Sequence, residues 1–164
     1  MPAKWKLLGL ICILQMLVTA FFSISSFISF FRFGSIVFLF QSIAFALMSW
    51  LSILTINILN YNYPDKPITG GQKKIFNWLF LLNFLLIAFL FGLVFSEFGR
   101  LQAMARLANQ PVYSMPAEWM VSLVINFIML IFQFTILYAL YSLRRLIYRN
   151  FTGHQFEFES RKPV

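Results

Sequence analysis

The chain contains very few of the residues that usually carry enzyme chemistry. Its 164 residues include one cysteine, one histidine and five acidic side chains. The single Cys12 excludes an intramolecular disulfide and dithiol exchange chemistry, because both need a second cysteine. The single His154 excludes a multi-histidine metal site within one chain. Asp65 is the only aspartate, which excludes lipid transferases that use aspartate clusters.

Catalytic motifs are absent as well. The sequence has no nucleophilic-serine motif and no phosphate-cradling glycine loop, and the Gly70-Gly71 pair alone is too short to form one. Small glutathione-using membrane enzymes with four helices have a similar length, but they need arginines that converge at one membrane face. The second apolar segment of this chain contains no arginine. We therefore predict no catalytic, cofactor-binding or metal-binding residues.

Long apolar runs dominate what is present. Hydrophobic residues make up 60% of the chain and charged residues only 11%, and the mean hydropathy is +0.80. Four continuous apolar segments cover residues 7–28, 34–58, 75–96 and 119–141 approximately. A helix of about 20 residues crosses a hydrocarbon core of about 30 Å. We predict an all-α polytopic membrane protein, a four-transmembrane-helix bundle over residues 1–149 followed by a loosely ordered, polar cytoplasmic tail over 150–164.

The connections between the segments differ in character. Residues 31–34 predict a tight turn that is relaxed by Gly34 and joins the first two helices into a hairpin. Residues 60–74 contain two prolines and two glycines, which predict a true loop. Residues 100–109 are amphipathic and predict a short interfacial helix between the third and fourth spans. Pro111 and Pro116 are expected to end it.

Basic residues are unevenly distributed around the four segments. The N-terminus, the second connection and the C-terminal region hold ten of them, and the first and third connections hold three: Arg32, Arg100 and Arg106. The positive-inside rule then predicts that both termini are cytoplasmic, in the cell (inner) membrane.

The formal net charge of +8 is typical of a protein that binds nucleic acid or of one that contacts anionic membrane lipids. The basic residues flank the apolar segments and are absent from them, which favours the lipid bilayer as partner and argues against nucleic acid. We predict contacts with anionic lipid head groups for Lys73, Lys74, Arg144, Arg145 and Arg149.

Small and polar residues recur at helical spacing within the segments. Such residues let helix backbones approach closely, and serine bonds across the contact. We therefore predict helix packing, within the bundle or between copies, for eight residues: Ser23, Ser26, Ser42, Ala46, Ser49, Ala88, Gly92 and Ser96.

Four polar residues are placed toward one membrane surface by their depth along the predicted helices. Gln41 and Asn126 fall in the outer half, and Glu97 and Arg100 fall at the outer end of the third segment. If these faces converge, they form an outward-opening polar cleft. Glu97 and Arg100 are three residues apart, so an interfacial ion pair is one interpretation and a cation-sensing carboxylate at a pore mouth is the other.

Three function classes follow from these observations. The abundance of packing residues and the lack of buried charge favour a non-catalytic subunit of a homo- or hetero-oligomeric membrane assembly. The first alternative is an oligomeric channel, pore or small transporter lined by Ser, Gln and Asn. The second alternative is a small membrane enzyme that acts on a lipophilic substrate.

Overall fold

The computed structural model describes the backbone of residues 3–63, 66–109, 111–112 and 117–160. Within residues 117–160, it describes the side chains of residues 120, 123–124, 127–128 and 130–151. Helices account for nearly all of the described backbone, as predicted for an all-α chain.

Four long helices follow one another along the chain. They are α1 (Ala3–Phe33), α2 (Ile36–Asn57), α3 (Gly70–Leu107) and α4 (Ala117–Ser160), and a π-helical turn (Ile58–Asn62) extends α2. Four helical stretches are long and apolar enough to cross a membrane: Ala3–Phe33, Ile36–Asn62, Gly70–Leu107 and, within α4, Leu130–Phe151. The prediction of four apolar helices of spanning length is therefore confirmed.

The helices are divided between two compact units. The first unit contains Met1–Asn83 and Tyr138–Val164, and the second contains Phe84–Leu137. The first unit therefore holds α1, α2, the start of α3 and the second half of α4. The second unit holds the remainder of α3 and the first half of α4.

The turn between α1 and α2 depends on one glycine. Gly34 has a φ of +65°, and its N–H donates to the carbonyl of Phe30 at 2.8 Å. A left-handed residue that bonds back to the last turn is a common way to end an α-helix. Ser35 follows in extended conformation and precedes α2. The predicted hairpin turn at Gly34 is confirmed.

The connection between α2 and α3 is shorter than predicted, because Gly70 and Gly71 belong to the first turn of α3. Thr69 and Gln72 form a reciprocal capping box: the Gln72 N–H donates to Thr69 Oγ1 at 3.2 Å, and the Thr69 N–H donates to Gln72 Oε1 at 3.1 Å. This pairing satisfies two backbone donors that a helix start leaves open. The Thr69-x-x-Gln72 pattern is visible in the sequence. It starts α3 at this point although Gly70 and Gly71 are poor helix formers.

The separate interfacial helix predicted over residues 100–109 is wrong. Residues 100–107 are the last turns of α3, which continues without interruption from Gly70. Gly99 is the only poor helix former near this point, and a glycine inside a helix costs only about 1 kcal/mol. α3 ends where Asn109 adopts a φ of 50°, two residues before Pro111.

The fourth helix extends beyond its predicted end near residue 141. α4 continues to Ser160, so the backbone through Arg144, Arg145 and Arg149 is helical, and so are residues 150–160 of the segment expected to be a loosely ordered tail. Residues 161–164 lie outside the described part of the chain. The only glycine of α4 is Gly153, and no proline occurs between Ala117 and Ser160. The sequence contains nothing in this stretch that would force the helix to stop.

The polarity of the first unit is inverted relative to that of a water-soluble domain. Gln15, Thr19 and Ser52 are fully buried. Large apolar side chains on the same helices face outward, with Phe21 68% and Ile36 61% exposed. Water would penalise both features, whereas hydrocarbon penalises neither, because it solvates phenylalanine and isoleucine and drives amides and hydroxyls inward.

We expect Gly34→Ala to lower the melting temperature in detergent by about 2–8 °C, because a left-handed backbone costs a residue with Cβ about 1–2 kcal/mol. Thermal unfolding followed by intrinsic fluorescence measures this. Gly9→Ala is the matched control, since Gly9 is helical and an added Cβ meets nothing within 4 Å. Equal melting temperatures for the two variants would contradict the role of Gly34.

Candidate functional site

α1 and α2 are joined by a pair of serines that bond to each other's backbone. Ser23 Oγ donates to the Ser42 carbonyl at 2.9 Å, and Ser42 Oγ donates to the Ser23 carbonyl at 2.9 Å. Such mutual bonds require the two backbones to lie close together, which serine permits because of its size. Ser49 Oγ also approaches the Met16 carbonyl, at 3.4 Å, and Ser26 is buried.

Other hydroxyls on these helices bond within their own helix. Thr19 Oγ1 donates to the Gln15 carbonyl at 2.7 Å, and Thr55 Oγ1 donates to the Leu51 carbonyl at 2.8 Å. Ser52 Oγ donates in the same way to the Met48 carbonyl at 3.0 Å. A hydroxyl bonded to its own helix presents a compact, largely satisfied surface to the neighbouring helix. These side chains therefore serve packing.

Three amide side chains are almost completely buried. Gln15 and Asn83 of the first unit are each 1% exposed, and Gln133 of the second unit is 0% exposed. Among the described residues, neither Oδ1 nor Nδ2 of Asn83 has a hydrogen-bond partner. A buried polar group without a partner costs about 1–3 kcal/mol, so Asn83 is a strained point of the first unit.

A cluster of cations and aromatic rings joins α3 to α4 at one end of the first unit. Lys73 Nζ lies 3.9 Å from the ring centre of Tyr148 and 4.1 Å from that of Phe151. In the opposite direction, Arg144 Nε donates to Asn77 Oδ1 at 2.9 Å, and its guanidinium carbon lies 5.5 Å from the centre of Phe80. We call this set the cation–aromatic clasp (Lys73, Asn77, Phe80, Arg144, Tyr148 and Phe151).

The spacing within the clasp is helical and reciprocal. On each helix the three members lie at positions i, i+4 and i+7, which places them on one face. α3 contributes Lys73 and the ring of Phe80, and α4 contributes Arg144 and the rings of Tyr148 and Phe151. Each cation lies over an aromatic ring of the other helix. This register makes α3 and α4 antiparallel within the first unit. A cation over an aromatic face contributes about 0.5–2 kcal/mol, depending on how far it is desolvated.

Neighbouring basic residues lie in different environments. Lys74, Arg145 and Arg149 are exposed, whereas Lys73 and Arg144 are half-buried in the clasp. Successive residues of a helix are rotated by about 100°, so in Lys73-Lys74 and in Arg144-Arg145 only one member faces the adjacent helix. Head-group contact stays a prediction for all five cations. Lys73 and Arg144 already have partners within the chain.

A cavity of about 610 Å³ opens in the first unit between the start of α1 and one face of α4. Its lining includes the cations Lys4, Arg145 and Arg149 together with the aromatic residues Trp5 and Tyr141. Trp5 also lies near Tyr63, with ring centres 6.3 Å apart. Basic residues of the N-terminus and of α4 therefore line one cavity, and the Trp5–Tyr63 contact brings the end of α2 close to it.

The predicted polar cleft involves both units. Gln41 is half-buried on α2 in the first unit, and Glu97 is half-buried and Arg100 exposed on α3 in the second unit. The side chain of Asn126 lies outside the described residues. The convergence of these four residues therefore stays a prediction.

The small residues of α3 lie on an exposed face of the second unit. Ala88, Gly92 and Ser96 are all exposed, and the longer helix adds the exposed Gly99 and Ala103. At about 100° per residue these five positions fall within an arc of about 80°. The opposite face carries the buried residues of this half of α3: Ile87, Leu90, Val94, Leu101 and Ala105. On α2, Ala46 is exposed as well.

Among the described residues, no three His, Cys, Asp or Glu side chains are grouped as metal ligands.

Sequence and structure comparisons add no family assignment. Comparison with protein-family models, with curated proteins and with solved structures gave no significant match.

We expect Lys73→Gln to lower the melting temperature by about 2–8 °C, because it removes a cation enclosed by two aromatic rings. Lys74→Gln makes the same chemical change at the adjacent exposed position and is expected to leave the melting temperature unchanged. Differential scanning fluorimetry in one detergent compares the two. If both variants lost the same stability, the clasp would not stabilise the fold.

We expect Asn83→Leu to raise the melting temperature, since leucine of similar size removes a desolvation cost of about 1–3 kcal/mol. Asn77→Leu is the control and is expected to lower it, because Asn77 accepts the hydrogen bond from Arg144. A decrease for Asn83→Leu would show that this amide has a partner that the leucine removes.

Proposed function

We propose that the protein is a small, non-catalytic integral membrane protein that works by assembling with further copies of itself through the exposed small-residue face of α3. Both termini face the cytoplasm in this proposal, in keeping with the ten-to-three distribution of basic residues around the spans. The observation that carries the proposal is the small-residue face (Ala88, Gly92, Ser96, Gly99 and Ala103), all of whose members are exposed.

Nothing within the described part of the chain uses the small size of these residues. A Cβ added at Gly92 or at Gly99 would meet no atom within 4 Å. Glycine gives a helix about 1 kcal/mol less stability than alanine does, so two glycines on an open face weaken α3 without improving its packing in the chain. They do improve packing if a second helix approaches, because the missing side chains let two backbones come close.

Two phenylalanines form a ridge beside this face. Phe91 is 45% exposed and Phe95 is 61% exposed, and their ring centres are 4.7 Å apart. The small-residue face is the groove that lies beside this ridge. A helix with a ridge next to a groove is self-complementary, since a copy related by two-fold rotation places its ridge in the groove of the first copy. This favours a homo-oligomer over an assembly with a different protein.

Many of the residues that are exposed elsewhere on the spans are large and apolar. Trp50 on α2 and Phe84 on α3 are 52% and 53% exposed. Such surfaces gain little from helix association in lipid, because lipid tails solvate them equally well. The small-residue face is therefore the part of the described surface on which close contact between helices is favourable.

We expect Gly92→Leu to convert the oligomer into a monomer, because the leucine side chain fills the groove that the partner helix occupies. Native mass spectrometry of the protein from mild detergent or native lipid particles counts the copies per particle. Ser25→Leu is the control: it also enlarges a small, exposed residue, on α1, and is expected to leave the assembly intact.

The Gly92→Leu monomer is expected to stay folded and to show a cooperative thermal transition, since an added Cβ at Gly92 meets nothing within 4 Å. A wild-type protein that is strictly monomeric, or one that purifies with a different partner and without a second copy, would overturn the proposed homo-oligomer.

A further inference from the structure

We propose that the cavity between the start of α1 and the 138–149 face of α4 binds an anionic phospholipid by its phosphate. We call it the basic cavity. It belongs to the first unit, whereas the small-residue face belongs to the second, so this site does not depend on the proposed assembly. Its volume of about 610 Å³ lies within the range of about 300–1,000 Å³ that is usual for small-molecule sites.

Charge indicates the part of the ligand that is bound at the mouth of the basic cavity. Lys4 comes from α1, and Arg145 and Arg149 come from α4. No acidic residue is found among the described residues of the lining. Arg145 and Arg149 are four residues apart and therefore on one helix face. Planar guanidinium groups bind phosphate oxygens in pairs, and a lysine adds a point charge, so the set matches a phosphate mono- or diester.

The remaining lining changes from polar to apolar along α4. Arg149 and Tyr138 are separated by 11 residues, or about 16 Å of helix at 1.5 Å per residue. Arg145 and Arg149, with Leu146 between them, lie at the end of this face nearer the C-terminus, Tyr141 and Ser142 follow, and Tyr138 and Ala139 lie at the other end. α1 repeats the order, with Lys4 first and Leu8, 4% exposed, one turn deeper. This gradient matches a molecule with a charged head and an apolar body.

A free anion would use only part of this lining. Leu8 and Leu146 offer inorganic phosphate no hydrogen-bond donor and no charge, but they give contact area to acyl chains and glycerol, as does the ring of Trp5. Tyrosine and tryptophan are also the residues that lie at the level of lipid head groups, with the ring in an apolar layer and the polar atom toward water. The combined chemistry favours a phospholipid over a soluble phosphate compound.

The clasp explains why Arg145, and not the adjacent Arg144, lines the basic cavity. Arg144 and Lys73 are directed at Asn77 and at aromatic rings, so they hold α3 against α4. Arg145, one position further along α4, is exposed and lines the basic cavity. One pair of adjacent arginines thus has two tasks: one residue fixes the helix, and the other presents charge to a ligand.

The test measures lipid retained by the full-length protein. The protein is released from mixed micelles that contain phosphatidylglycerol and phosphatidylcholine in equal amounts, and native mass spectrometry counts the lipids that stay bound. We expect phosphatidylglycerol to be retained in preference to phosphatidylcholine. Arg145→Gln is expected to weaken this retention at least about tenfold, the loss of one charge-assisted hydrogen bond.

Two further variants separate a built site from general charge attraction. Lys4→Gln alters the opposite wall of the cavity and is expected to weaken retention as Arg145→Gln does. Lys66→Gln removes an exposed cation that is not part of the lining and for which no head-group contact is predicted, and it is expected to leave retention unchanged. Equal losses for all three variants, or no preference for phosphatidylglycerol in the parent, would overturn the proposal. Melting temperatures establish that each variant is folded.

Competition with water-soluble compounds identifies the source of the phosphate. Inorganic phosphate and glycerol 1-phosphate are added separately at millimolar concentration to the complex with phosphatidylglycerol. We expect neither to displace the lipid, because neither contacts the apolar part of the lining. Displacement by either compound at these concentrations would show that the cavity recognises a soluble phosphate, and the assignment to a phospholipid would be overturned.

Discussion

Four helices that are long and apolar enough to cross a membrane fit surroundings without water. In hydrocarbon every backbone N–H and C=O group must be paired within the protein, which leaves the continuous helix as the economical element for an apolar segment. The same condition moves side-chain amides and hydroxyls inward and leaves phenylalanine and leucine outside. Gln15, Thr19 and Ser52 are buried on these grounds, and Phe21 is exposed. Packing then relies on close approach of backbones, as in the mutual bonds of Ser23 and Ser42.

Polar groups on the first unit are sorted by depth. Several serines and threonines of α1 and α2 bond to carbonyls of their own helix or of the facing one. The charged side chains in the described part of the first unit lie near the ends of α1, in the α2–α3 connection, in the first turns of α3 and at residues 144–149 of α4. The clasp satisfies Lys73 and Arg144 with an amide and with aromatic rings. A cation–aromatic contact suits this depth, because the ring tolerates the apolar layer and still attracts charge. Lys4, Arg145 and Arg149 line the adjacent basic cavity, for which we propose a lipid.

Sequence patterns predicted the helices better than their ends. Apolar length predicted four helices long enough to cross a membrane, and Gly34 predicted the hairpin turn, because both are local properties. The interfacial helix expected at residues 100–109 is instead the end of α3. An amphipathic pattern shows which side of a helix is apolar, but it does not show where one helix ends and another begins. α4 likewise continues past residue 141 because nothing there stops it. The Thr69–Gln72 capping box is a local signal and predicts the start of α3 despite two glycines.

By itself, the sequence determined the number of helices, their apolar character and the basic asymmetry between their ends. These follow from composition and from spacing along one helix. Only the tertiary structure decided which of two adjacent cations faces inward, because one residue of helical rotation separates Lys73 from Lys74 and Arg144 from Arg145. It also decided that Ala88, Gly92 and Ser96 are exposed while Ser23 and Ser42 bond to each other. Whether a small residue meets a helix of its own chain or stays open depends on where the other helices lie, and helical spacing along one segment carries no information on that.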